Sequence, residues 1–189
     1  PVKCRNATLM LPPIQSAGMS LRHNHDGFRA KTVCNSTLAI LRNHIFNWAI
    51  WPDFSEIAIR KEAVMQYRTL RLGEAVELDG RRITAVPADH TVPAVGYHLD
   101  SGQASLVFTG DTTINDRFWP VVNRIANLRY LLIETAFPNR ESRRAAMSKH
   151  LSPCLLGDEL VKLEGGAEIY VSHLKPGQID LIMREIKRC

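Results

Sequence analysis

The sequence predicts a mixed α/β (α+β) fold in which short apolar strands alternate with amphipathic helices. Four apolar runs of strand length each lead into a polar side chain that can bind a metal. Turn-forming residues separate these runs, as in the sequence Asp100-Ser101-Gly102. The runs are 83–86, which leads to His90; 105–109, which leads to Asp111; 129–134, which ends in Glu134; and 168–173, which ends in His173.

These four polar side chains form the candidate site. A single His after a strand is ordinarily a loop residue, but α/β proteins bind ligands in crevices outside the carboxyl ends of their strands. Prolines on both sides restrict the backbone around His90, and a glycine allows a sharp turn before Asp111. We therefore expect His90, Asp111, Glu134 and His173 to lie together.

The rest of the chain supplies helices and an antiparallel pair of strands. Helical spacing of apolar residues predicts four helices, and Ser152 with Pro153 suits the start of the third. The charged segment 141–149 is interpreted as a helical or mobile connection. The predicted helices are 36–44, 115–125, from 152 to about 165, and 179–186, and the predicted strands are 64–72 and 75–78.

Two further segments carry possible ligands or contact surfaces. Residues 1–35 show no sustained period, but His23 and His25 have an i, i+2 spacing that lets both imidazoles reach one metal. The alternative for this pair is a polar turn. The segment 46–54 is rich in aromatic residues, which either fill a core or line a pocket.

Composition favours a single soluble domain, 1–189, located in the cytoplasm. The 189 residues are 45% hydrophobic and 23% charged, with a formal net charge of +5. The basic residues are spread along the chain, so we do not expect nucleic acid as a partner, and no apolar run is long enough for a membrane span. The four cysteines form no C-x-x-C pair, which argues for reduced thiols rather than a disulfide framework or a zinc knuckle.

Five motifs, in order, resemble the metallo-β-lactamase superfamily, and within it the class II cyclic-nucleotide phosphodiesterases. The resemblance covers about 36–187 and includes the aromatic segment 45–54. The motifs are Asp-His-Thr-Val-Pro-Ala-Val-Gly-Tyr (89–97), Phe-Thr-Gly-Asp-Thr (108–112), Ile-Glu-Thr-Ala-Phe-Pro-Asn (133–139), Lys-His-Leu-Ser-Pro (149–153) and Val-Ser-His-Leu-Lys-Pro-Gly (171–177).

The resemblance implies an αββα sandwich with two zinc ions at its mouth and a metal-activated hydroxide that attacks phosphorus. By motif, His90 is implied as a ligand of the first zinc, Asp111 as the bridging carboxylate and His173 as a ligand of the second. By analogy with ribonuclease Z-type members, Glu134 would orient His150, which would protonate the leaving alkoxide. If the substrate is a cyclic nucleotide, the candidates for stacking on its base are Trp48, Trp51 and Phe54.

The sequence departs from the family at its defining His-x-His-x-Asp-His signature. The segment His23-Asn24-His25-Asp26-Gly27 matches only the first three positions, and no apolar strand precedes it. We expect residues 1–35 to be truncated, diverged or rearranged and the sandwich to be incomplete there. His90, Asp111 and His173 alone leave each metal short of ligands, so one zinc or none is expected, with His23 and His25 as replacements.

These observations predict a phosphodiesterase that hydrolyses 3′,5′-cyclic nucleotides, with activity impaired by an incomplete metal site. Two alternatives stay open: a ribonuclease Z-like RNA-processing hydrolase, and a catalytically inactive remnant that acts as a binding module. The expected partner is a small cyclic nucleotide, and a homodimer is allowed for.

Overall fold

The computed structural model describes residues 30–33 and 35–189. Of these, 30–69 and 70–189 form two compact units, which are described separately. The expectation of one domain stays a prediction, and His23 and His25 lie outside the described residues. Within the described part of the chain, no helix combines the length and apolar character that a membrane crossing requires.

The unit 30–69 contains one helix and four short strands. The strands are β1 (Ala30–Val33), β2 (Ala58–Ile59), β3 (Glu62–Ala63) and β4 (Gln66–Thr69), and the helix is α1 (Asn35–His44). The strand β1 pairs with β4 in parallel, and β2 pairs with β3 in a hairpin. Both residues of the hairpin turn, Arg60 and Lys61, have positive φ angles, as a tight turn with the twist of a hairpin requires. The helix confirms the prediction for 36–44, and β4 is shorter than the strand predicted over 64–72.

The unit 70–189 is built on a six-stranded sheet. Its strands are β5 (Ala75–Leu78), β6 (Arg81–Pro87), β7 (Val95–Asp100), β8 (Ser105–Phe108), β9 (Leu128–Glu134) and β10 (Glu168–Ser172). Their order across the sheet is β10-β9-β8-β7-β6-β5. The strands β5 to β8 form an antiparallel meander, whereas β8, β9 and β10 are parallel. It follows that β6, β8, β9 and β10 all run in the same direction.

The parallel strands are joined through helices, as parallel connections require. The helices are α2 (Trp119–Val122) between β8 and β9, then α3 (Ser142–Met147) and α4 (Pro153–Leu160) between β9 and β10, and finally α5 (Ile179–Ile186). A single 3₁₀ turn at Asn139–Glu141 precedes α3.

The sheet carries apolar clusters on both faces. Because successive side chains of a strand point to opposite faces, Ala85 and Val86 of β6 belong to different clusters. Val86 joins the large cluster, in which the helices pack on the sheet, and Ala85 joins a small one with Leu70 and Val76. The large cluster contains Val86, Val107, Phe118, Trp119, Val122, Leu131, Ile133, Leu151, Leu156, Ile182 and Ile186.

Two predicted helices are shorter in the structure, and in both cases an asparagine side chain forms a hydrogen bond with a backbone group near the helix end. The helix predicted over 115–125 shrinks to α2, since Asn115 Oδ1 accepts the N–H of Arg117 at 3.2 Å and competes with helical bonds. The helix predicted to run towards Gly165 ends at Leu160, and Asn123 Nδ2 donates to the carbonyl of Lys162 at 2.9 Å just beyond it.

The other helix predictions are confirmed with one qualification. The segment 141–149 contains α3, and α5 has the predicted bounds. Ser152 is the N-cap of α4 with Pro153 after it, as predicted, but its hydroxyl makes no capping bond and is buried without a partner among the described residues. Nothing in the structure explains this unpaired hydroxyl.

Candidate metal centre

Four strands that run in the same direction end at the same edge of the sheet. Beyond β6 the chain reaches His90, and beyond β8 it turns at Gly110, whose φ is +63°, into Asp111. The strand β9 ends in Glu134, and His173 follows β10 directly. The direction of the strands therefore brings the four predicted side chains to one edge.

A group of three residues at this edge has the geometry of a metal site. One ligand atom from each of His90, Asp111 and His150 lies within 4.8 Å of the other two. His150 is buried, whereas the other two are half-buried, so the group is open on one side. Two imidazole nitrogens and a carboxylate oxygen are the donors that zinc uses in catalytic sites, so the residues fit the metal that the sequence implied.

The ring of His90 is oriented by a backbone carbonyl. Its Nδ1 lies 3.2 Å from the carbonyl oxygen of Lys149, which can only accept a hydrogen bond, so Nδ1 carries the proton and Nε2 is free to bind a metal. The φ of Lys149 is +54°, a left-handed conformation at the residue that supplies this carbonyl. Lys149 also donates from Nζ to Asp89 Oδ1 at 2.7 Å, which links it to the residue before His90.

The ring of His150 is oriented by a buried carboxyl group. Its Nδ1 lies 2.7 Å from Glu134 Oε1, and Glu134 is fully buried. The carboxyl group also accepts the backbone N–H of Thr112 at 3.1 Å and that of Leu151 at 3.4 Å. When the carboxylate is ionised it accepts all three bonds, Nδ1 of His150 carries the proton, and Nε2 of His150 is available for a metal.

Burial perturbs the protonation of this pair. Loss of solvent raises the pKa of Glu134 to about 8, with the backbone N–H groups of Thr112 and Leu151 acting in the opposite direction. Loss of solvent also lowers the pKa of His150 to about 4, and the nearby His173 adds to this effect. Near neutral pH without a metal, the pair therefore holds a proton on the carboxyl group and the imidazole is uncharged.

His173 lies beside the three-residue group. Its Nδ1 is 3.2 Å from Asp111 Oδ1, and its ring stacks on that of His150 with centroids 4.9 Å apart. Its Nε2 is 3.4 Å from Lys175 Nζ, so both ring nitrogens have partners. His173 has a φ of +63°, a left-handed conformation that is uncommon outside glycine. Its assignment as a ligand of a second metal stays a prediction.

The other predicted residues lie outside the unit 70–189, which carries this site. Trp48, Trp51 and Phe54 belong to the unit 30–69, where Trp48 and Trp51 are 60% and 56% exposed. The core interpretation of the aromatic segment is therefore wrong for both tryptophans, since their rings lie largely in solvent. Trp48 Nε1 donates to Glu56 Oε2 at 3.0 Å, and Phe54 packs against Phe46. Their role in stacking on a base stays a prediction, as do the roles of His23 and His25.

Sequence reasoning missed two features of the site. It assigned His150 to proton donation and did not count it among the metal ligands, because no strand leads into it. It also assigned no role to Phe137 and Lys175, although both residues lie within the five motifs. The ring of Phe137 lies 5.8 Å from that of His150, and Lys175 Nζ lies 5.3 Å above the Phe137 ring. The only available signal for Lys175 was a cation two residues after a candidate ligand.

Comparison with known proteins finds one curated relative of this chain and no family model. No protein-family model matches the chain. Over 164 residues it is 26% identical to a Yersinia pestis protein described as "Probable 3′,5′-cyclic-nucleotide phosphodiesterase", covering 74% of this chain and 48% of that protein. The chain therefore spans about half the length of the curated relative that it matches.

Two solved structures resemble the chain at lower identity. The crystal structure of unliganded yeast PDE1 superposes with a TM-score of 0.71 at 21% identity, covering 85% of this chain and 54% of that one. The metallo-β-lactamase fold protein YhfI from Bacillus subtilis superposes with a TM-score of 0.57 at 19% identity, covering 72% and 52%. The chain therefore has the fold of these two structures, the metallo-β-lactamase fold, as its five sequence motifs predicted.

Proposed function

We propose that this chain is a metal-dependent phosphodiesterase that hydrolyses 3′,5′-cyclic nucleotides to 5′-nucleotides. The observation that carries the proposal is the group formed by His90, Asp111 and His150, whose ligand atoms lie within 4.8 Å of one another. The similarity to the Yersinia protein supports the cyclic nucleotide as the substrate class.

The donor set accounts for the metal-dependent part of the reaction. A zinc ion held by His90, Asp111 and His150 would lower the pKa of a water molecule and polarise the phosphodiester. Glu134 and the carbonyl of Lys149 hold the two imidazoles by Nδ1, which leaves Nε2 of each available for the metal. Such hydrogen-bonded partners ordinarily account for 10- to 100-fold in metal affinity or activity.

The substrate carries a negative charge, and Lys175 supplies a cation beside His173. Its Nζ lies 3.4 Å from His173 Nε2, on the side of the group where His173 is exposed. We assign Lys175 to binding a non-bridging phosphate oxygen, which would lower the energy of the more negative transition state.

Hydrolysis breaks the bond from phosphorus to the 3′ oxygen, and this oxygen must gain a proton as it leaves. His150 can give a proton from Nε2 only while that nitrogen does not bind a metal, so ligation and proton donation exclude each other at any moment. His173 is the second imidazole at the site, and its Nδ1 lies 3.2 Å from Asp111. The substrate dependence of a His150 variant, given in the Discussion, separates these assignments.

Zinc stoichiometry measured alongside hydrolysis of cyclic AMP and cyclic GMP tests the proposal. We expect about one zinc per chain and slow turnover. Asp111→Asn should lose both the metal and the activity, whereas Asp116→Asn, at an exposed carboxylate that pairs with Lys162, should keep both. A chain that holds zinc but hydrolyses neither cyclic nucleotide, nor an activated aryl phosphodiester, would instead be the inactive binding module.

Two further variants identify the third donor of the zinc. If His23 and His25 supply it, the double variant His23→Ala/His25→Ala loses the metal and His150→Ala keeps it. The position of His150 beside His90 and Asp111 favours His150 as the donor. In that case His150→Ala loses the metal and the double variant keeps it. Two zincs held tightly with fast turnover would contradict the interpretation of residues 1–35 as incomplete.

A basic groove favours RNA hydrolysis as a second candidate function. The groove has a volume of about 590 Å³, and three arginines line it alongside one acidic residue. The lining residues are Arg140, Glu141, Arg143, Arg144, Met147 and Ser148. The same short segment leads into His150. Phosphate contacts of this kind make nucleic-acid binding weaken steeply with salt.

Single-stranded RNA binding, followed by fluorescence anisotropy at several salt concentrations, separates the two candidates. RNA hydrolysis predicts measurable binding that falls with salt and that Arg143→Ala weakens. Cyclic-nucleotide hydrolysis predicts that Arg143→Ala leaves the turnover of cyclic AMP unchanged.

A further inference from the structure

Two cysteines far apart in the sequence lie in contact at the surface. Cys154 is in the first turn of α4, and Cys189 follows α5. Their sulfur atoms are 3.2 Å apart, and both residues are exposed. A disulfide bond is about 2.05 Å long, so the sulfurs need to approach by only about 1.1 Å to form one.

The packing of two helices holds these cysteines together. Leu156 of α4 and Ile182 and Ile186 of α5 are all buried in the large apolar cluster. A Cβ built on Gly157 would lie 3.4 Å from Cys189 Cβ, so the end of the chain sits close against α4. The short sulfur distance is therefore set by the apolar contact of α4 with α5.

Asn139 adds a polar link at the same point. Its Oδ1 accepts the backbone N–H of Cys154 at 2.9 Å, and its Nδ2 lies 4.0 Å from Cys189 Sγ. Its backbone N–H donates to Glu185 Oε2 at 2.7 Å, which ties it to α5. Both cysteines are thus positioned by contacts other than their own, and the pair is arranged before any oxidation.

We propose that Cys154 and Cys189 are a redox modification site that forms a reversible disulfide within the chain. Hydrogen peroxide is the oxidant. One thiolate attacks the peroxide, the O–O bond breaks, and a sulfenic acid and water form; the second thiol then attacks this sulfur, the S–O bond breaks, and a second water leaves. Two thiols lose two electrons in all, one peroxide is reduced to two waters, and a dithiol reductant reverses the change.

The surroundings of Cys154 favour a disulfide that persists once it has formed. The hydrogen bond with Cys189, then burial, then the charges of Cys189, Asp158 and Glu185 raise the pKa of the Cys154 thiol. A thiol of high pKa is a poor leaving group, so reduction of the disulfide should be slow. Because the thiolate is the reacting form, the same shift slows the first oxidation near neutral pH, and a more alkaline pH should speed it.

Oxidation should stabilise the part of the chain that carries β10 and α5. A cross-link between 154 and 189 encloses both elements and restricts the unfolded chain. For a loop of this size the expected gain raises Tm by on the order of 5 to 10 °C. The inference does not depend on the proposed hydrolase function, since neither cysteine contacts the metal-centre residues described above.

Peptide mapping of the whole chain after peroxide treatment tests the inference directly. The purified chain is exposed to hydrogen peroxide, digested without reductant and analysed by mass spectrometry. We expect a cross-linked peptide that joins Cys154 to Cys189, a loss of two hydrogen masses, and a higher Tm that a dithiol reductant restores to its starting value.

Cys154→Ser and Cys189→Ser should each abolish both the cross-link and the Tm shift, whereas Cys4→Ser/Cys34→Ser should keep them. Peptide mapping is carried out on the unsubstituted chain, so the inference can be tested even if a variant fails to fold. Disulfides between chains, a cross-link to Cys4 or Cys34, or oxidation of Cys154 beyond sulfenic acid without a cross-link would each overturn the inference.

Discussion

Replacing Glu134 with glutamine tests how the buried carboxyl group controls metal binding. In the structure, Glu134 accepts the backbone N–H groups of Thr112 and Leu151, and its Oε1 lies 2.7 Å from Nδ1 of His150. A zinc ion on Nε2 of His150 fixes the proton on Nδ1 and so favours the ionised carboxylate. Glutamine cannot carry the charge, and one end of its amide is itself a donor that opposes a backbone N–H.

The expected magnitudes depend on pH. The pKa of Glu134 is raised to about 8, so the carboxyl group must release a proton when zinc binds below that pH. Zinc affinity of the unchanged chain should fall as pH drops below about 8, by up to tenfold per unit, which is roughly 100-fold at pH 6. Glu134→Gln should bind zinc about 10- to 100-fold more weakly than the unchanged chain above pH 8, with this pH dependence removed. The two affinities should therefore converge towards pH 6.

Competition with a zinc-sensitive fluorescent chelator between pH 6 and pH 9 measures these affinities. Glu164→Gln, at an exposed glutamate, is the matched control and should behave like the unchanged chain. The Tm without metal at pH 6 should change little in Glu134→Gln, because the native carboxyl group is largely protonated there. Equal affinity of the two chains at pH 8.5, or a pH slope that persists in the variant, would refute the reasoning.

Two further results are expected from single substitutions. Gly96→Ala should destabilise the chain by about 1 to 3 kcal/mol, because its Cβ would lie 2.6 Å from a backbone carbonyl oxygen of β8; a chemical-denaturation midpoint that does not move would contradict this, and Gly166→Ala, with nothing within 4 Å, is the control. His150→Ala should lower kcat on cyclic AMP and on an activated aryl phosphodiester by similar factors, because a metal ligand serves both substrates. A loss of about 10²- to 10⁴-fold on cyclic AMP with a much smaller loss on the aryl substrate, which needs no proton to leave, would show instead that His150 acts as an acid.

The strand-end residues could be predicted because their signals are local. Each apolar run is bounded by turn residues, and the polar residue that follows it keeps its place in the structure, as His90 after β6 and Asp111 after β8 show. Once β6, β8, β9 and β10 run in the same direction, convergence at one edge needs no further information. The sequence thus contained most of the site, even though the strand β7 between the first two was not identified.

The rest depended on contacts between distant segments. Asn115 cuts short a helix that its neighbours predict, because its Nδ2 also donates to the carbonyl of Pro87 at 3.2 Å. Cys154 and Cys189 show no motif spacing, and only the packing of α4 on α5 brings them into contact. Interactions of this kind are set by tertiary structure, which periodicity in a single sequence does not encode.

The segment that carries α3 contains no strand, yet the turn that follows this helix positions two of the three candidate ligands. The backbone N–H of His150 donates to the carbonyl of Ala145 at 2.8 Å, so the end of α3 fixes where the imidazole begins. The preceding residue, Lys149, supplies the carbonyl that orients His90 and the ammonium group that binds Asp89. One short turn therefore provides a donor to the three-residue group and holds a second donor in place. A change in the backbone at Lys149 should therefore disturb the orientation of both His90 and His150. Loss of the Glu134 carboxyl group should disturb the orientation of His150 alone.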